Sequence, residues 1–349
     1  MTMAPETAAS PDYGPPRLTV ELTNSCNLHC SYCLRDEDAL HHDPATFLPV
    51  DLFARVARDA RASMGIEHIM FTGGEPTLHR EFGTILATVA ELGLTCSFVT
   101  NAWHFERIWP LLVEHRQTVT HVSFSIDGTT REAHDRWRGP GSFERVIRAC
   151  SRCWAGAFPF NMKVGIRRDT VPDLERFAIF AARMGAAGLS FAHIMPTSGD
   201  VADTSALTFE ERAAAEREIA LLARIFKMRI GIDVGYYNTA PASPCSPLHG
   251  VSANVNYRGE LSLCCNLSGF RGAHGKIDIV GDLHREPFDV ALGRLRHLAS
   301  SQSEHRARTL AALDAAGTKA DLTTGSPCQF CLITLGKTPW IQLTTQRMV

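Results

Sequence analysis

No run of apolar residues in this 349-residue sequence is long enough to cross a lipid bilayer. The first 16 residues, MTMAPETAASPDYGPP, contain neither a basic start nor an apolar segment, so they do not read as a secretion signal. The formal net charge is only −2 and the basic residues are not clustered, which argues against nucleic acid or an anionic membrane as a partner. We therefore expect a cytoplasmic protein that binds neither.

A disulfide framework is not expected either, because the 11 cysteines are odd in number and the predicted compartment is reducing. Clustered thiols in such a setting bind metal or take part in chemistry. Cys96 lies in an apparent strand, and Cys150 and Cys153 lie on one face of a helical pattern, so we expect these three to be buried core residues. The other cysteines form three groups, namely Cys26, Cys30 and Cys33; Cys245, Cys264 and Cys265; and Cys328 and Cys331.

Short apolar runs alternate with helical patterns over the first two thirds of the chain, which predicts a parallel sheet covered by helices. The strands are expected to be apolar on both faces. Six such units are fewer than the eight of a closed barrel, so we predict an α/β fold with a partial (β/α)6 TIM-like barrel. The six predicted strands are residues 17–22, 68–72, 95–100, 121–126, 160–166 and 188–194.

The pattern changes after a long amphipathic helix predicted at residues 208–229. A Pro- and Ser-rich loop is followed by a predicted β-hairpin, residues 251–265, which turns at Arg258-Gly259. A further helix and the last cysteine pair complete this part. The sequence thus predicts a flexible tail (1–16), a barrel core (17–235) and a small α+β domain (236–349).

Cys26, Cys30 and Cys33 follow the first predicted strand, at the end of a parallel strand where active sites form. Soft thiolate ligands select zinc, copper(I) or iron–sulfur clusters. Zinc would need a fourth ligand, which His29, His41 or His42 could supply. The alternative is a [4Fe–4S] cube held by three thiolates, with one iron left open to a substrate or cofactor.

The cysteine loop reads CNLHCSYC, and FTGGEP (71–76), VTNA (99–102) and SIDG (125–128) end the next three predicted strands. HDRWRG (134–139) follows. A single motif of this kind is weak, but this series at consecutive strand ends is specific. Together these segments resemble the radical S-adenosylmethionine (SAM) superfamily. The resemblance implies that the three cysteines hold a [4Fe–4S] cluster whose open iron binds SAM.

The family chemistry implied by this resemblance begins with one electron from an external donor of the flavodoxin or ferredoxin type. SAM is cleaved to methionine and a 5'-deoxyadenosyl radical, which takes a hydrogen atom from the substrate. Gly73 and Gly74 would let the backbone approach the SAM amino group, Glu75 would face it, and Pro76 would stiffen the turn.

The remaining SAM contacts are also implied by the resemblance. Ser125 and Arg138 are placed like the pair that grips the SAM carboxylate, since arginine offers a two-pronged donor. Asp127 is placed like the residue that holds the ribose hydroxyls, Asn101 like a further SAM contact, and Tyr32 like the aromatic residue near the cluster and adenine. The sequence identifies no catalytic acid or base.

The C-terminal cysteines Cys245, Cys264, Cys328 and Cys331 could hold zinc or a complete iron–sulfur cluster. Their arrangement resembles the twitch domain, a short form of the SPASM domain, which implies one auxiliary [4Fe–4S] cluster. Cys265 could replace Cys264, but the Gly-x4-Cys spacing from Gly259 favours Cys264. Alternation along a strand would point the two sulfurs to opposite faces.

These resemblances imply a radical SAM oxidoreductase that oxidatively modifies a peptide by crosslinking or dehydrogenation, with leader binding supplied by a separate protein. The alternative is the same chemistry on a small molecule such as an aminocyclitol or sugar alcohol. A third hypothesis, a non-catalytic zinc scaffold, is distinguished from both by iron analysis.

Overall fold

The computed structural model describes residues 14–197, 205–240, 245–271 and 276–341. Residues 1–13 of the predicted tail lie outside this part of the chain. The described residues form one ten-stranded sheet flanked by helices. Its strands are β1 (Arg17–Glu21), β2 (His68–Thr72), β3 (Thr95–Thr100), β4 (Val119–Ser125), β5 (Phe160–Ile166), β6 (Gly188–His193), β7 (Arg229–Val234), β8 (Ser252–Val255), β9 (Glu260–Ser262) and β10 (Ile279–Asp282).

The helices connect successive strands and continue into the C-terminal part. Short sequence signals set their ends: Gly65 closes the first helix in a left-handed conformation, with φ of 69°. They are α1 (Val50–Met64), α2 (Phe82–Glu91), α3 (Phe105–Glu114), α4 (Arg131–Arg138), α5 (Ser142–Ala155), α6 (Leu174–Met184), α7 (Phe209–Ile225), α8 (Phe288–Ala315), α9 (Leu322–Gly325) and α10 (Pro327–Thr334).

The strand order is β10-β9-β8-β1-β2-β3-β4-β5-β6-β7. Every neighbouring pair from β8 through β1 to β7 is parallel, and only β9 and β10 are antiparallel additions. Parallel strands separated by helices place all their carboxyl ends at one edge of the sheet. The predicted α/β fold with a partial barrel is confirmed.

One parallel strand was missed by the sequence prediction. Residues 208–229 were predicted as one helix, but α7 begins after the cap Thr208, ends at Ile225, and is followed by β7. The side chains of β7 alternate between half-buried and exposed; Ile230 and Ile232 pack on the main core, and Val234 packs on a second apolar cluster. Such a short, lightly buried strand has a weak apolar pattern, so it merged with the end of the helix.

The predicted hairpin is confirmed: β8 and β9 are antiparallel and Gly259 turns the chain with φ of 73°. Strand β8 also pairs in parallel with β1. The C-terminal strands therefore extend the sheet of the barrel core, and the C-terminal cysteines are brought beside the loop that follows β1.

The expectation that the parallel strands are apolar on both faces was wrong. In β5, Phe160, Met162 and Val164 are buried in the core, whereas Asn161 and Lys163 on the other face are only half-buried. One face packs against helices, and the other is lined by polar side chains. Cys96, Cys150 and Cys153 are fully buried, as predicted.

Candidate active site

The three-cysteine loop, defined here as residues 26–33, begins shortly after the carboxyl end of β1. The side chain of Asn24 anchors it, because its Nδ2 donates to Ala39 O at 2.7 Å and its Oδ1 accepts from Thr46 N at 2.7 Å. The thiols of Cys26, Cys30 and Cys33 lie within electrostatic range of one another. Burial raises the pKa of Cys26 to about 12, so its thiolate requires a cation beside it.

Gly73 and Gly74 pack directly against the backbone that leads into this loop. A Cβ on Gly73 would lie 2.5 Å from Thr23 O, and one on Gly74 only 2.1 Å from Ser25 O. Backbone hydrogen bonds of 2.8 Å join Gly74 N to Thr23 O and Glu75 N to Ser25 O. The glycine pair is therefore required for the loop after β2 to approach the three-cysteine loop. Pro76 starts a short helical turn there.

Glu75 is buried and joins the loops that follow β2 and β3. Its carboxylate accepts hydrogen bonds from both the backbone and the hydroxyl of Thr77, from the Thr100 hydroxyl and from Asn101 N. Burial raises its pKa although these bonds oppose the shift. Asn101 in turn donates to Asn27 Oδ1 at 3.0 Å and lies 4.0 Å from Cys26 Sγ. Glu75 and Asn101 thus connect the loops after β2 and β3 to the three-cysteine loop.

Asp127, just beyond β4, is the centre of a buried charge network. Its Oδ2 accepts from Tyr32 and Arg138, and its Oδ1 accepts from Arg167 at 2.8 Å. Burial alone would raise the pKa of Asp127, but the two arginines outweigh it and hold the pKa well below its usual range. Arg138 also donates to the Tyr32 hydroxyl at 2.8 Å, and it lies within electrostatic range of Cys30.

Arg167 was missed by the sequence prediction. It follows β5, has a fully buried side chain, and also pairs with Asp169 at 3.0 Å. Its guanidinium lies over the rings of Tyr32 and Trp137, at 4.9 and 4.1 Å from their centroids. Its position directly after β5 could have indicated a role at the site, because the motifs at the ends of β1 to β4 occupy the same position. Ser125 is half-buried at the end of β4.

The four-thiol cavity is the second site. Leucines line its apolar wall. Burial raises the pKa of Cys245 to about 12. Two sulfurs accept backbone hydrogen bonds, Cys328 from Gly235 N at 3.4 Å and Cys264 from Asn266 N at 3.5 Å. The cavity is lined by Cys245, Cys264, Cys328 and Cys331 together with Pro247, Leu248, Leu263, Asn266, Leu267, Pro327 and Leu332.

Cys265 does not line this cavity. Its thiol is hydrogen-bonded to that of Cys264, and it lies within electrostatic range of Cys245, Cys328, Arg35 and Lys163. Strand β9 already ends at Ser262, so the predicted strand alternation does not apply to Cys264 and Cys265.

The two cysteine sites are joined through the backbone. Arg35, which follows the three-cysteine loop, forms a β-bridge with Phe270, and Arg271 N donates to Leu34 O at 2.8 Å. Two ion pairs lie within electrostatic range of Cys265, which sits beside both cysteine sites: Arg35 with Glu21 at 3.2 Å, and Lys163 with Asp233 at 2.5 Å. A polar region thus adjoins both sites.

Within the described residues, no three His, Cys, Asp or Glu side chains converge closely enough to share a single metal ion. No helix in that part of the chain is long and apolar enough to span a bilayer.

Comparison with known proteins shows the family to which the chain belongs. Residues 20–181 match the family model described as the radical SAM superfamily. The mycofactocin maturase MftC of Mycobacterium ulcerans is 30% identical over 284 residues, which are 78% of this chain and 68% of that protein. MftC of Mycobacterium tuberculosis is 29% identical over 78% of this chain, and the match spans 64% of its length.

Among solved structures, Streptococcus suis SuiB bound to S-adenosylmethionine superposes with a TM-score of 0.64. The superposition covers 81% of this chain and 68% of SuiB at 14% sequence identity, so it supports the fold alone.

Proposed function

Because this chain belongs to the radical SAM superfamily and carries an auxiliary C-terminal domain, we propose that it is an oxidoreductase that modifies a peptide. The observation that carries this proposal is the pairing of two cysteine sites across one polar region. In addition, two relatives are named as maturases of mycofactocin, and another solved structure is titled as SuiB bound to its precursor peptide SuiA.

Cys26, Cys30 and Cys33 would hold a [4Fe–4S] cluster and leave one iron for SAM. Reductive cleavage of SAM supplies a carbon radical that removes a hydrogen atom from the substrate. Arg138 would receive the SAM carboxylate, with Asp127 and Arg167 setting its position. The Asp127 carboxylate already accepts three donors, so we assign it this orienting role, and its contact with the ribose stays a prediction.

The four-thiol cavity fits a second [4Fe–4S] cluster. Four thiols surround an apolar cavity, and backbone N–H groups reach two of the sulfurs, as in iron–sulfur sites. With all four irons held by protein, its task would be electron transfer. Such a cluster would accept one electron from the substrate radical, which would lose one proton to solvent, for a two-electron oxidation in all.

The test is a mass-spectrometric assay under nitrogen with SAM and dithionite. The reconstituted protein is incubated either with a candidate peptide encoded beside its gene or with a pool of host metabolites. A peptide that loses two hydrogens while deoxyadenosine accumulates in step supports the proposal. Deoxyadenosine formation stimulated only by the metabolites would replace the peptide with a small molecule such as an aminocyclitol, and zinc without iron would refute the scheme.

A further inference from the structure

Two buried arginines, Arg212 on α7 and Arg306 on α8, lie beside the four-thiol cavity, and each is only 2% exposed. Arg306 is within electrostatic range of three of the four cavity thiols, and Arg212 of Glu216 and then of Cys328. Burial lowers the pKa of Arg212 to about 10, which leaves it charged at neutral pH.

Neither guanidinium has a carboxylate within 4.0 Å among the residues that the structure describes. Arg306 donates to the carbonyl oxygens of Asn238 and Gly325, and Arg212 to those of Leu207 and Gly235. Buried arginines are normally paired with a negative charge, because an unpaired buried charge is strongly destabilising.

The Nε of Arg306 is buried and has no hydrogen-bond partner within the described part of the chain. Carbonyl oxygens satisfy donors but bring no net negative charge. The groups within range that can supply that charge to Arg306 are chiefly the thiols of Cys245, Cys328 and Cys331. Four thiolates around an iron–sulfur cube leave a net negative charge that grows when the cube is reduced.

We propose that Arg306, assisted by Arg212, is the counter-ion of an anionic cluster in the four-thiol cavity and raises its reduction potential. This inference rests on the proposed function, which places a cluster there. A fixed positive charge in a buried site stabilises the more negative, reduced form over the oxidised one. Arg306 and Arg212 are therefore positioning residues that make the cavity a better acceptor for the electron of the substrate radical.

The contrast with the three-cysteine loop supports this assignment. There, Arg138 and Arg167 both bind the Asp127 carboxylate, so their charge is largely cancelled within the protein. Beside the cavity, neither Arg212 nor Arg306 has an ion-pair partner among the described residues; Glu216 lies within electrostatic range of Arg212 but pairs with His193 at 3.1 Å. The protein itself thus favours added negative charge at the four-thiol cavity more than at the loop.

The test is a redox titration of the full-length, anaerobically reconstituted protein, followed by electron paramagnetic resonance. Iron is counted first, with about eight irons expected for two cubes. Arg306→Met should lower the reduction equilibrium constant of the auxiliary cluster about tenfold, or about 59 mV for one electron. The cluster of the three-cysteine loop in the same sample should not shift. Arg306→Lys, which keeps the charge, should restore most of the potential.

The matched control is Arg308→Met on the same helix, because Arg308 is 72% exposed and only 3.9 Å from Glu304. It should leave both potentials unchanged. If Arg306→Met carries full iron with an unchanged auxiliary potential, or if Arg308→Met shifts it equally, the proposal is overturned.

If Arg306→Met loses the auxiliary iron, the lysine variant decides the matter. Retained iron in Arg306→Lys supports a charge role, and loss equal to that of the methionine variant refutes it. Arg212→Met should give a smaller downward shift. A wild-type protein with only about four irons would instead remove the auxiliary cluster, and with it the proposed function, before any arginine is tested.

Discussion

The three-cysteine loop and the four-thiol cavity adjoin each other but balance their charges in opposite ways. The loop is surrounded by a closed network in which Asp127 accepts from Tyr32, Arg138 and Arg167. The cavity has buried arginines that bind only carbonyl oxygens and lie close to thiols. Ion pairs within the protein close the network beside the loop, whereas the arginines beside the cavity have no ion-pair partner among the described residues. The anionic cluster proposed above would supply one.

The largest effect should come from removing one thiol from each site in turn. Cys26→Ala should abolish deoxyadenosine formation and reduce the iron content from about eight to about four, because three thiolates are needed to hold the SAM cluster. Cys328→Ala should lose a similar amount of iron but still cleave SAM. Iron analysis and chromatography of deoxyadenosine check both variants. Equal loss of SAM cleavage in Cys26→Ala and Cys328→Ala would contradict the assignment of SAM cleavage to the three-cysteine loop alone.

Replacing Asp127, the central acid of the charge network beside the loop, should strongly lower the stability of the protein. Asp127→Asn leaves Arg138 and Arg167 with an unbalanced buried charge and should lower the free energy of unfolding by about 3–5 kcal/mol. The matched control is Asp169→Asn, since Asp169 pairs with the same arginine but is 40% exposed. That variant should cost about 0–1 kcal/mol. Denaturant unfolding under nitrogen measures both, and similar values would show that burial does not decide the effect.

Packing around the loop can be tested at its glycine contact. Gly74→Ala would bring a Cβ to 2.1 Å from Ser25 O, so we expect a loss of about 1–3 kcal/mol and less iron at the three-cysteine loop. Gly231→Ala on β7 is the control, because its Cβ would meet nothing within 4 Å. A Gly74 variant with normal stability and iron content would show that the loop can move away.

The smallest effect concerns pH and His134, whose Nδ1 accepts from Asp127 N at 3.1 Å. Burial lowers its pKa from 6.5 to about 4, so protonation favours the unfolded chain. Stability is therefore full above pH 6.5 and falls as the pH drops from 6.5 towards 4. His134→Gln should remove about 1 kcal/mol of the loss between pH 7 and pH 5.5.

The control for this pH dependence is His42→Gln, because His42 is exposed and its hydrogen bond to Asp38 raises its pKa. That variant should not reduce the loss of stability on acidification. Denaturant unfolding at pH 7 and pH 5.5 measures how much the free energy of unfolding of each variant falls on acidification. Equal slopes in wild type and His134→Gln would contradict the expected titration.

The motifs at the ends of β1 to β4 could be recognised in the sequence because each is a short contiguous string with a fixed spacing. Strands β2, β3 and β5 were predicted with their observed bounds, since each is a short apolar run between clear breaks. By contrast, β7 was missed because its side chains are at most half-buried and its pattern continues from α7.

Arg167, Arg212 and Arg306 could not be assigned from the sequence. A surface arginine and a buried one have the same letter, and burial depends on which elements pack over the side chain. Arg167 approaches Asp127 only because β4 and β5 are neighbours in the sheet. Arg306 reaches the cavity because α8 packs against the C-terminal helices α9 and α10.

The sequence by itself determined the family, the parallel α/β fold and the two sets of cysteines, because these depend on local spacing and periodicity. Only the tertiary structure decided which carboxylates and cations meet. It paired Asp127 with two arginines and left Arg306 beside the thiols of the cavity. Electrostatic energy depends on distance and burial between residues far apart in the chain, and neither is recorded in the order of the residues.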